Sequence, residues 1–249
     1  TINKYSKMKF HPSASMPALK DIDTSRDSDS ESSTNPTVAR SVSTIGLNSM
    51  DDEFLEHNPT VEPHVGYKKV LVTGGAGFIG SNVAEYLLNR GDDVVIVDEM
   101  NDYYDVKIKE GNLKLLEEMV EGQEGRLSIY KGDICDEAFM LDVFEKERPE
   151  WVCHMAARAG VRPSIQDPYI YIHSNIRGTT NLMELSHKFG VKNFVFASSS
   201  SVYGGSSSTY FSEEENVDNP VSPYAASKKA CELLSYTYHH LYNLNVSAL

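Results

Sequence analysis

A tyrosine and a lysine four residues apart, Tyr224 and Lys228, are the residues of this sequence most suited to chemistry. On a helix this spacing places both side chains on one face, about one turn apart. A lysine ammonium beside a phenol stabilises the phenolate and lowers the pKa of the phenol from near 10 towards neutrality. Such a tyrosine can exchange a proton with a substrate hydroxyl, although an isolated Tyr-x-x-x-Lys pair is more often a solvated helix face.

A run of four serines, Ser198–Ser201, precedes this pair and is followed by Val-Tyr-Gly. A serine at the end of a strand can hydrogen-bond a reacting hydroxyl and hold it against a phenolate. The same run is also consistent with a polar loop that has no chemical role. The histidines are scattered and Cys135, Cys153 and Cys231 lack metal-binding spacing, so no metal site is predicted.

The frame for these groups is an alternation of apolar strands and helical segments that begins after Tyr67. Strands that are apolar on both faces are typical of a parallel sheet covered by helices on both sides. The alternation predicts an α/β fold with a doubly wound parallel sheet, the Rossmann arrangement. The predicted strands are Lys69–Thr73, Val94–Val97, Leu127–Tyr130, Trp151–His154, Phe194–Ala197 and one from about Val246, and the predicted helices are Ser81–Arg90, 107–121, 136–146, 168–189 and 224–242.

A glycine-rich run lies between the first strand and the first helix. Its first glycine allows a tight turn, its second lets a pyrophosphate approach the backbone, and its third permits close helix–strand packing. The helix N-terminus adds free N–H groups and about half a positive charge. Glycines at this spacing also occur in ordinary turns, but their place after the first strand predicts a dinucleotide site. The predicted cofactor residues here are Gly74, Gly77, Phe78, Ile79 and Gly80.

Two aspartates follow the second and third strands. Asp98, eighteen residues beyond Gly80, can accept hydrogen bonds from both ribose hydroxyls of the cofactor and would repel a 2′-phosphate, so NAD is preferred over NADP. The alternative for Asp98 is that it caps the following turn. Asp133, together with Ile134, is predicted to hold the adenine edge, and its alternative is a helix N-cap.

Between Lys68 and Leu249 the sequence resembles the extended short-chain dehydrogenase/reductase family, and within it the nucleotide-sugar 4-epimerases that act on UDP-glucuronate. The segments that carry the resemblance are Thr73–Gly80, Asn101–Asp105, Gly132–Ile134, His154–Arg162, His173–Thr179, Ser198–Gly204 and Tyr224–Lys228.

The resemblance assigns roles by position. It implies that Ser199 is the catalytic serine, that Tyr224 is the acid/base, and that Lys228 both tunes that tyrosine and binds the nicotinamide ribose. It also implies that Arg158 and Arg162 face the substrate sugar or its pyrophosphate. Residues implied to contact the cofactor are Met155, Ala156, Ala157, Asn175, Tyr224 and Lys228. Of these, Asn175 is as easily a structural hydrogen-bonding residue.

The reaction implied by the resemblance is reversible inversion at C4 of UDP-glucuronate, giving UDP-galacturonate through a 4-keto sugar, with hydride moving to NAD⁺ and back. Family dehydratases carry an Asp-Glu pair after the catalytic hydroxyl residue, and decarboxylases carry a Glu before the Val-Tyr-Gly. Those positions here are Ser200 and Ser201, which favours epimerisation. Another nucleotide-sugar enzyme of the family and a non-catalytic NAD-binding regulator are the alternatives.

The formal net charge of −13 argues against nucleic-acid or anionic-membrane partners, because phosphates would be repelled. Residues 1–65 are polar and poor in aromatic residues, which predicts a disordered tail before a domain at 66–249. No apolar run is long enough for a transmembrane helix.

Because the sequence begins at Thr1 and ends at Leu249 in a strand-like run, we expect a fragment that lacks the substrate-binding part. A cytoplasmic location is favoured, or a Golgi membrane if an anchor precedes Thr1. The resemblance also suggests a homodimer through the helices at 168–189 and 224–242, although core packing accounts for the same apolar pattern.

Overall fold

Six parallel strands form a single sheet in the computed structural model, which describes residues 68–123, 125–206 and 210–249. The tail predicted at 1–65 lies outside the described residues. The strand order is β3-β2-β1-β4-β5-β6, so the order reverses between β1 and β4. The strands are β1 (Lys69–Thr73), β2 (Asp93–Asp98), β3 (Leu127–Lys131), β4 (Trp151–His154), β5 (Asn193–Phe196) and β6 (Val246–Ala248).

Helices connect the strands and cover both faces of the sheet. The α-helices are α1 (Phe78–Arg90), α2 (Val106–Met119), α3 (Glu137–Glu147), α4 (Val161–Gln166), α5 (Pro168–Tyr171), α6 (Gly178–Phe189) and α7 (Pro223–Tyr242). A π-helical turn (Ile172–Arg177) joins α5 to α6, and a 3₁₀ turn (Ser200–Tyr203) follows β5. None of the described helices is both long and apolar enough to cross a membrane.

Two apolar clusters, one on each face, hold this arrangement together. Successive strand residues point to opposite faces, so Val70 and Val72 pack with α1 and α2, whereas Leu71 packs with α3, α6 and α7. Burial on both faces explains why the strands are continuous apolar runs rather than alternating patterns. The predicted doubly wound parallel sheet is therefore confirmed.

Several helices differ from the predicted ones in their boundaries, and one short helix was not predicted. Helix α1 begins three residues earlier than predicted, directly at the glycine loop. Helix α4 was not predicted, because it has only six residues and contains Pro163, which a helix tolerates in its first turn. The predicted helix at 168–189 is interrupted by the π-helical turn, which inserts an extra residue into the hydrogen-bond pattern.

The buried imidazole of His154 links the carboxyl end of β4 to its neighbours. Ala156 N–H donates to Thr73 Oγ1 at 3.3 Å, and Thr73 Oγ1 lies 2.6 Å from His154 Nδ1. The opposite ring nitrogen, Nε2, lies 2.8 Å from Thr179 Oγ1. Burial, with a smaller contribution from the Lys228 charge, lowers the pKa of His154 to about 3.

This histidine should make the protein sensitive to acid. The unfolded chain takes up a proton on His154 below its ordinary pKa of 6.5, whereas the folded chain does so only near 3. Its contribution to stability is therefore complete above pH 6.5 and is lost as the pH falls towards 3, at up to about 1.4 kcal/mol per pH unit.

Urea unfolding between pH 7 and pH 4 measures this dependence. The His154→Gln variant should show a shallower fall in the free energy of unfolding than the wild type, even where its absolute stability is lower. His240→Gln, at an exposed position on α7, controls for the loss of a histidine. Equal slopes for the wild type and His154→Gln would contradict the assignment.

Candidate active site

The glycine loop after β1 turns so tightly that side chains are excluded at its glycines. Gly74 has φ +68° and its N–H donates to Val97 O at 2.8 Å. A Cβ on Gly77 would lie 3.1 Å from Gly74 O, and a Cβ on Gly80 would lie 2.1 Å from the same oxygen. Gly77 is the N-cap residue of α1 without a side-chain cap, so the first N–H groups of α1 are left for a ligand.

A cavity of about 260 Å³ opens above this loop, where the strand order reverses. Open α/β sheets bind ligands at this position. The sequence-predicted residues that line it are Gly74, Gly77, Phe78, Ile79, Gly80, Asp98, Asp133, Ile134, Met155, Ala156, Ala157 and Arg158. The structure thus brings together the glycine loop and the ends of β2, β3 and β4, although these segments are far apart in the sequence.

The Asp98 carboxylate accepts more hydrogen bonds from the protein than the sequence predicted. Its Oδ2 accepts from Ala76 N at 3.1 Å, and its Oδ1 accepts from Met100 N at 2.8 Å and from Lys109 Nζ at 3.2 Å. The turn-capping alternative therefore describes part of its role. Because the buried ammonium of Lys109 neutralises this carboxylate, repulsion of a 2′-phosphate by Asp98 is weaker than predicted.

Asp133 lines the cavity but is not a helix N-cap, since Asp136 caps α3 by accepting from Phe139 N. Burial opposes its ionisation, yet hydrogen bonds from Cys135 N at 2.8 Å and from His173 hold the pKa of Asp133 below its ordinary value. The ligand-type atoms of Asp133, Cys135 and His173 lie within 4.8 Å of one another. The Cys135 thiol, whose pKa burial raises to about 12, donates to His173 O, so we assign no metal to this group.

Asn175 does not line the cavity; Ser174 does. The Asn175 side chain is 1% exposed, and its Oδ1 accepts from Arg158 N at 2.8 Å while its Nδ2 donates to Arg158 O at 3.0 Å. Nδ2 also donates to Ser227 Oγ at 2.9 Å, and Ser227 in turn donates to Tyr224 O at 2.7 Å. The structure therefore favours the structural alternative for Asn175, which joins the cavity loop to the first turn of α7.

Replacing Asn175 by alanine should lower the free energy of unfolding by about 1–3 kcal/mol, because the buried N–H and C=O of Arg158 lose their partner. Urea unfolding measures the loss. Asn89→Ala, on the exposed side of α1, should change stability by no more than about 0.5 kcal/mol. Equal stability of the two variants would contradict a structural role for Asn175 as the link between the cavity loop and α7.

The two arginines predicted to contact substrate occupy different environments. Arg158 lines the cavity, and its guanidinium pairs with Glu99 at 3.2 Å. Arg162 lies on α4, is exposed, and is not among the residues that line the cavity. The structure therefore separates the two, and the Arg158 guanidinium faces the same cavity as the glycine loop rather than a separate pocket.

Helix α7 places Tyr224 and Lys228 one turn apart at the carboxyl end of β5. Its N-terminus is fixed by Ser222, whose side chain accepts from Ala225 N, and by Pro223 at the first helical position. The Lys228 side chain is buried and its Nζ donates to Ala197 O at 2.9 Å. Burial lowers the pKa of Lys228, so an adjacent anion would interact strongly with this ammonium.

The serine run divides into residues with different partners. Ser198 Oγ donates to Glu232 Oε1 on α7 at 2.5 Å. Ser199 Oγ accepts from Ser201 N at 3.1 Å and so caps the 3₁₀ turn, which leaves its own hydroxyl proton available as a donor. Ser200 is exposed. Ser199 is thus held at the end of β5 without giving up its donor.

Tyr224 is connected to the cavity through Tyr171 and Ala159. The Tyr171 ring meets the Tyr224 ring edge-on at 6.0 Å, and the Tyr171 hydroxyl donates to Ala159 O at 2.8 Å. Ala159 lines the cavity, whereas Ser199, Tyr224 and Lys228 lie beyond its lining residues. These contacts connect Tyr224 to one residue of the cavity lining, Ala159.

Several residues that line the cavity were not predicted from the sequence. Glu99, Asn101, Tyr103, Tyr104, Lys109 and Ser174 all line the cavity. Four of them lie in or beside the Asn101–Asp105 segment that carried the family resemblance, so that segment was the available signal. Lys109 gave none, because three lysines occur in α2 and the sequence does not show which one is buried.

Residues 71–249 match the family model described as GDP-mannose 4,6 dehydratase. The chain is 49% identical to a UDP-glucuronate 4-epimerase of Thermodesulfobacterium geofontis over 72% of this chain and 54% of that protein. It is similar to the UDP-glucose 4-epimerase of Bifidobacterium longum, crystallised with NAD⁺ and UDP, with TM-score 0.65, 32% identity, and coverage of 72% of this chain and 52% of that one.

A dTDP-glucose 4,6-dehydratase of Streptomyces venezuelae, crystallised with NAD, is also similar, with TM-score 0.62, 31% identity, and coverage of 72% of this chain and 54% of that one. The chain spans about half the length of the curated relatives it matches.

Proposed function

Since the chain belongs to the extended short-chain dehydrogenase/reductase family whose model is described as GDP-mannose 4,6 dehydratase, we propose that the protein is an NAD-dependent 4-epimerase of a UDP-sugar. The substrate we propose is UDP-glucuronate, converted reversibly to UDP-galacturonate. The observation that supports the proposal is that Tyr224 and Lys228 lie one turn apart on α7, at the carboxyl end of the same parallel sheet whose first strand leads into the glycine loop.

The glycine loop suits the diphosphate of a dinucleotide. Glycines at 74, 77 and 80 leave space where any Cβ would collide with Gly74 O or the backbone of Ala156. The open N-terminus of α1 suits a diphosphate, and Asp133 with Ile134 offers an edge for adenine. When bound, NAD supplies a reversible acceptor for the hydride at C4 of the sugar. Similar chains from Bifidobacterium longum and Streptomyces venezuelae are crystallised with this cofactor.

We assign Tyr224, Lys228 and Ser199 different parts in proton transfer. We assign the Tyr224 phenol to take the proton of the C4 hydroxyl and to return it to the product. Lys228, whose Nζ donates to Ala197 O, is assigned to keep a positive charge on the same face of α7 as Tyr224. We assign Ser199 to donate its O–H to the reacting oxygen while its own oxygen accepts from Ser201 N.

The 3₁₀ turn favours epimerisation over dehydration. A dehydratase needs a carboxylic acid and base to remove water across C5 and C6. The turn consists of Ser200, Ser201, Val202 and Tyr203, so it carries no carboxylate, and Ser200 points to solvent. The uronic-acid substrate rests on the 49% identity to a UDP-glucuronate 4-epimerase.

Product analysis tests the proposal. The protein expressed from its complete coding sequence is incubated separately with UDP-glucuronate, UDP-glucose and dTDP-glucose, and the products are separated by chromatography. We expect the protein to convert UDP-glucuronate to UDP-galacturonate and to leave UDP-glucose and dTDP-glucose unchanged. UDP-xylose with CO₂, a 4-keto-6-deoxy sugar, or epimerisation of UDP-glucose only would each replace the proposal by another activity of the family.

A homodimer stays a prediction, with a second copy of the chain as the partner. The helices expected to form it carry exposed apolar side chains, among them Ile172, Leu233 and Tyr236. Analytical ultracentrifugation of the same preparation determines the oligomeric state.

A further inference from the structure

The hydroxyl of Tyr104 is buried at the entrance of α1 without a hydrogen-bond partner among the described residues. It lies 3.3 Å from the position that a Cβ on Gly77 would take, and Tyr104 lines the cavity. Its oxygen faces the Phe78 amide at a geometry short of a hydrogen bond. Buried polar atoms in native structures almost always have a partner, so an orphaned hydroxyl beside a ligand cavity calls for one.

The ring that carries this hydroxyl is held firmly. Lys109 Nζ lies 5.3 Å from the centre of the Tyr104 ring and also binds Asp98 and Asn101. Helix α2, which follows directly, is tied to the glycine loop by Asn112, whose Nδ2 donates to Ala76 O at 3.0 Å. The tyrosine is therefore fixed relative to the loop.

Burial, and to a smaller extent the Asp98 charge, raises the pKa of Tyr104, so the hydroxyl keeps its proton at neutral pH. The protonated phenol lies beside Gly77, the N-cap residue of α1, whose first N–H groups are free. Such a set of donors suits a phosphate oxygen and offers nothing to a cation.

We propose that Tyr104 donates a hydrogen bond to the diphosphate of the bound dinucleotide, beside the N–H groups of Phe78 and Ile79. The proposal rests on the dinucleotide site of the proposed function. It assigns a ligand role to one residue of the Asn101–Asp105 segment. It also explains why the side chain at position 77 must be absent, since a methyl group there would press on the Tyr104 hydroxyl.

Isothermal titration of the chain with ADP-ribose and with adenosine tests this role. Tyr104→Phe should bind ADP-ribose about 10- to 100-fold more weakly, as expected for the loss of a hydrogen bond to a charged group, and should bind adenosine as the wild type does. The thermal midpoint of the ligand-free protein should stay the same or rise, because the variant removes an unpartnered buried hydroxyl.

Tyr86→Phe is the matched control. Tyr86 lies on α1, is 66% exposed and is not among the residues that line the cavity, so removal of its hydroxyl should not change the ratio of ADP-ribose to adenosine affinity. Wild-type affinity of Tyr104→Phe for ADP-ribose, or a lower thermal midpoint without a change in that affinity, would overturn the proposal. A wild-type chain that binds neither ADP-ribose nor NAD would instead overturn the proposed function.

Discussion

Replacing Tyr224 by phenylalanine should lower kcat for UDP-glucuronate about 10²- to 10⁴-fold, the range expected for the loss of a general acid/base. The variant keeps the ring that meets Tyr171 edge-on and removes only the oxygen, so the packing of α7 is preserved. Steady-state kinetics on the complete protein give kcat, and titration with NAD gives the cofactor affinity. The affinity should change by less than about threefold, because Tyr224 lies beyond the residues that line the cavity.

Tyr236→Phe is the control for this experiment. It removes a phenolic oxygen from the same helix at a position that is 72% exposed, and activity should be unchanged. A Tyr224→Phe enzyme with near wild-type kcat would remove the proton-exchanging role from this residue. Loss of activity together with a large loss of thermal stability would indicate misfolding, and circular dichroism distinguishes that outcome.

Replacing Gly80 by alanine should abolish cofactor binding and destabilise the fold by about 1–3 kcal/mol or more. The added Cβ would lie 2.1 Å from Gly74 O and 2.7 Å from Gly74 C, both of which are backbone atoms that cannot move without opening the loop. Because the same loop forms the floor of the cavity, the displacement reaches the diphosphate position directly. Titration with NAD and urea unfolding measure the two effects.

Gly111→Ala, within α2, provides the matched comparison. Its Cβ meets no described atom within 4 Å, so alanine should stabilise the helix by about 0.5–1 kcal/mol through its higher helix propensity. The two substitutions are chemically identical, and both positions are helical. Equal effects at positions 80 and 111 would mean that close packing of the glycine loop is not what requires glycine at position 80.

The sheet could be predicted from the sequence because strands that are buried on both faces are continuous apolar runs. β1 and β4 were predicted to the residue, since each is a short run with an apolar centre. The C-terminus of α1 was equally clear, because Gly91 adopts φ +99°, a conformation that side chains disfavour.

The buried polar contacts could not be predicted from the sequence, because they depend on which side chains meet after folding. The ion pair of Asp98 with Lys109 and the link from Asn175 to Ser227 join residues on different elements. The π-helical turn that contains Asn175 was not predicted, because nothing in the sequence Ile172–Arg177 distinguishes a π turn from an α-helix. The family resemblance singled out Ser199, and the structure distinguishes it from Ser198, whose hydroxyl donates to Glu232.

The fate of a deuterium label at C4 of UDP-glucuronate tests the central claim most directly. If Tyr224 moves only the hydroxyl proton while the hydrogen on carbon is removed and returned within the site, UDP-galacturonate formed in ordinary water keeps the full label at C4, as mass spectrometry and NMR would show. Product in which the C4 deuterium has been exchanged for solvent hydrogen would contradict the account.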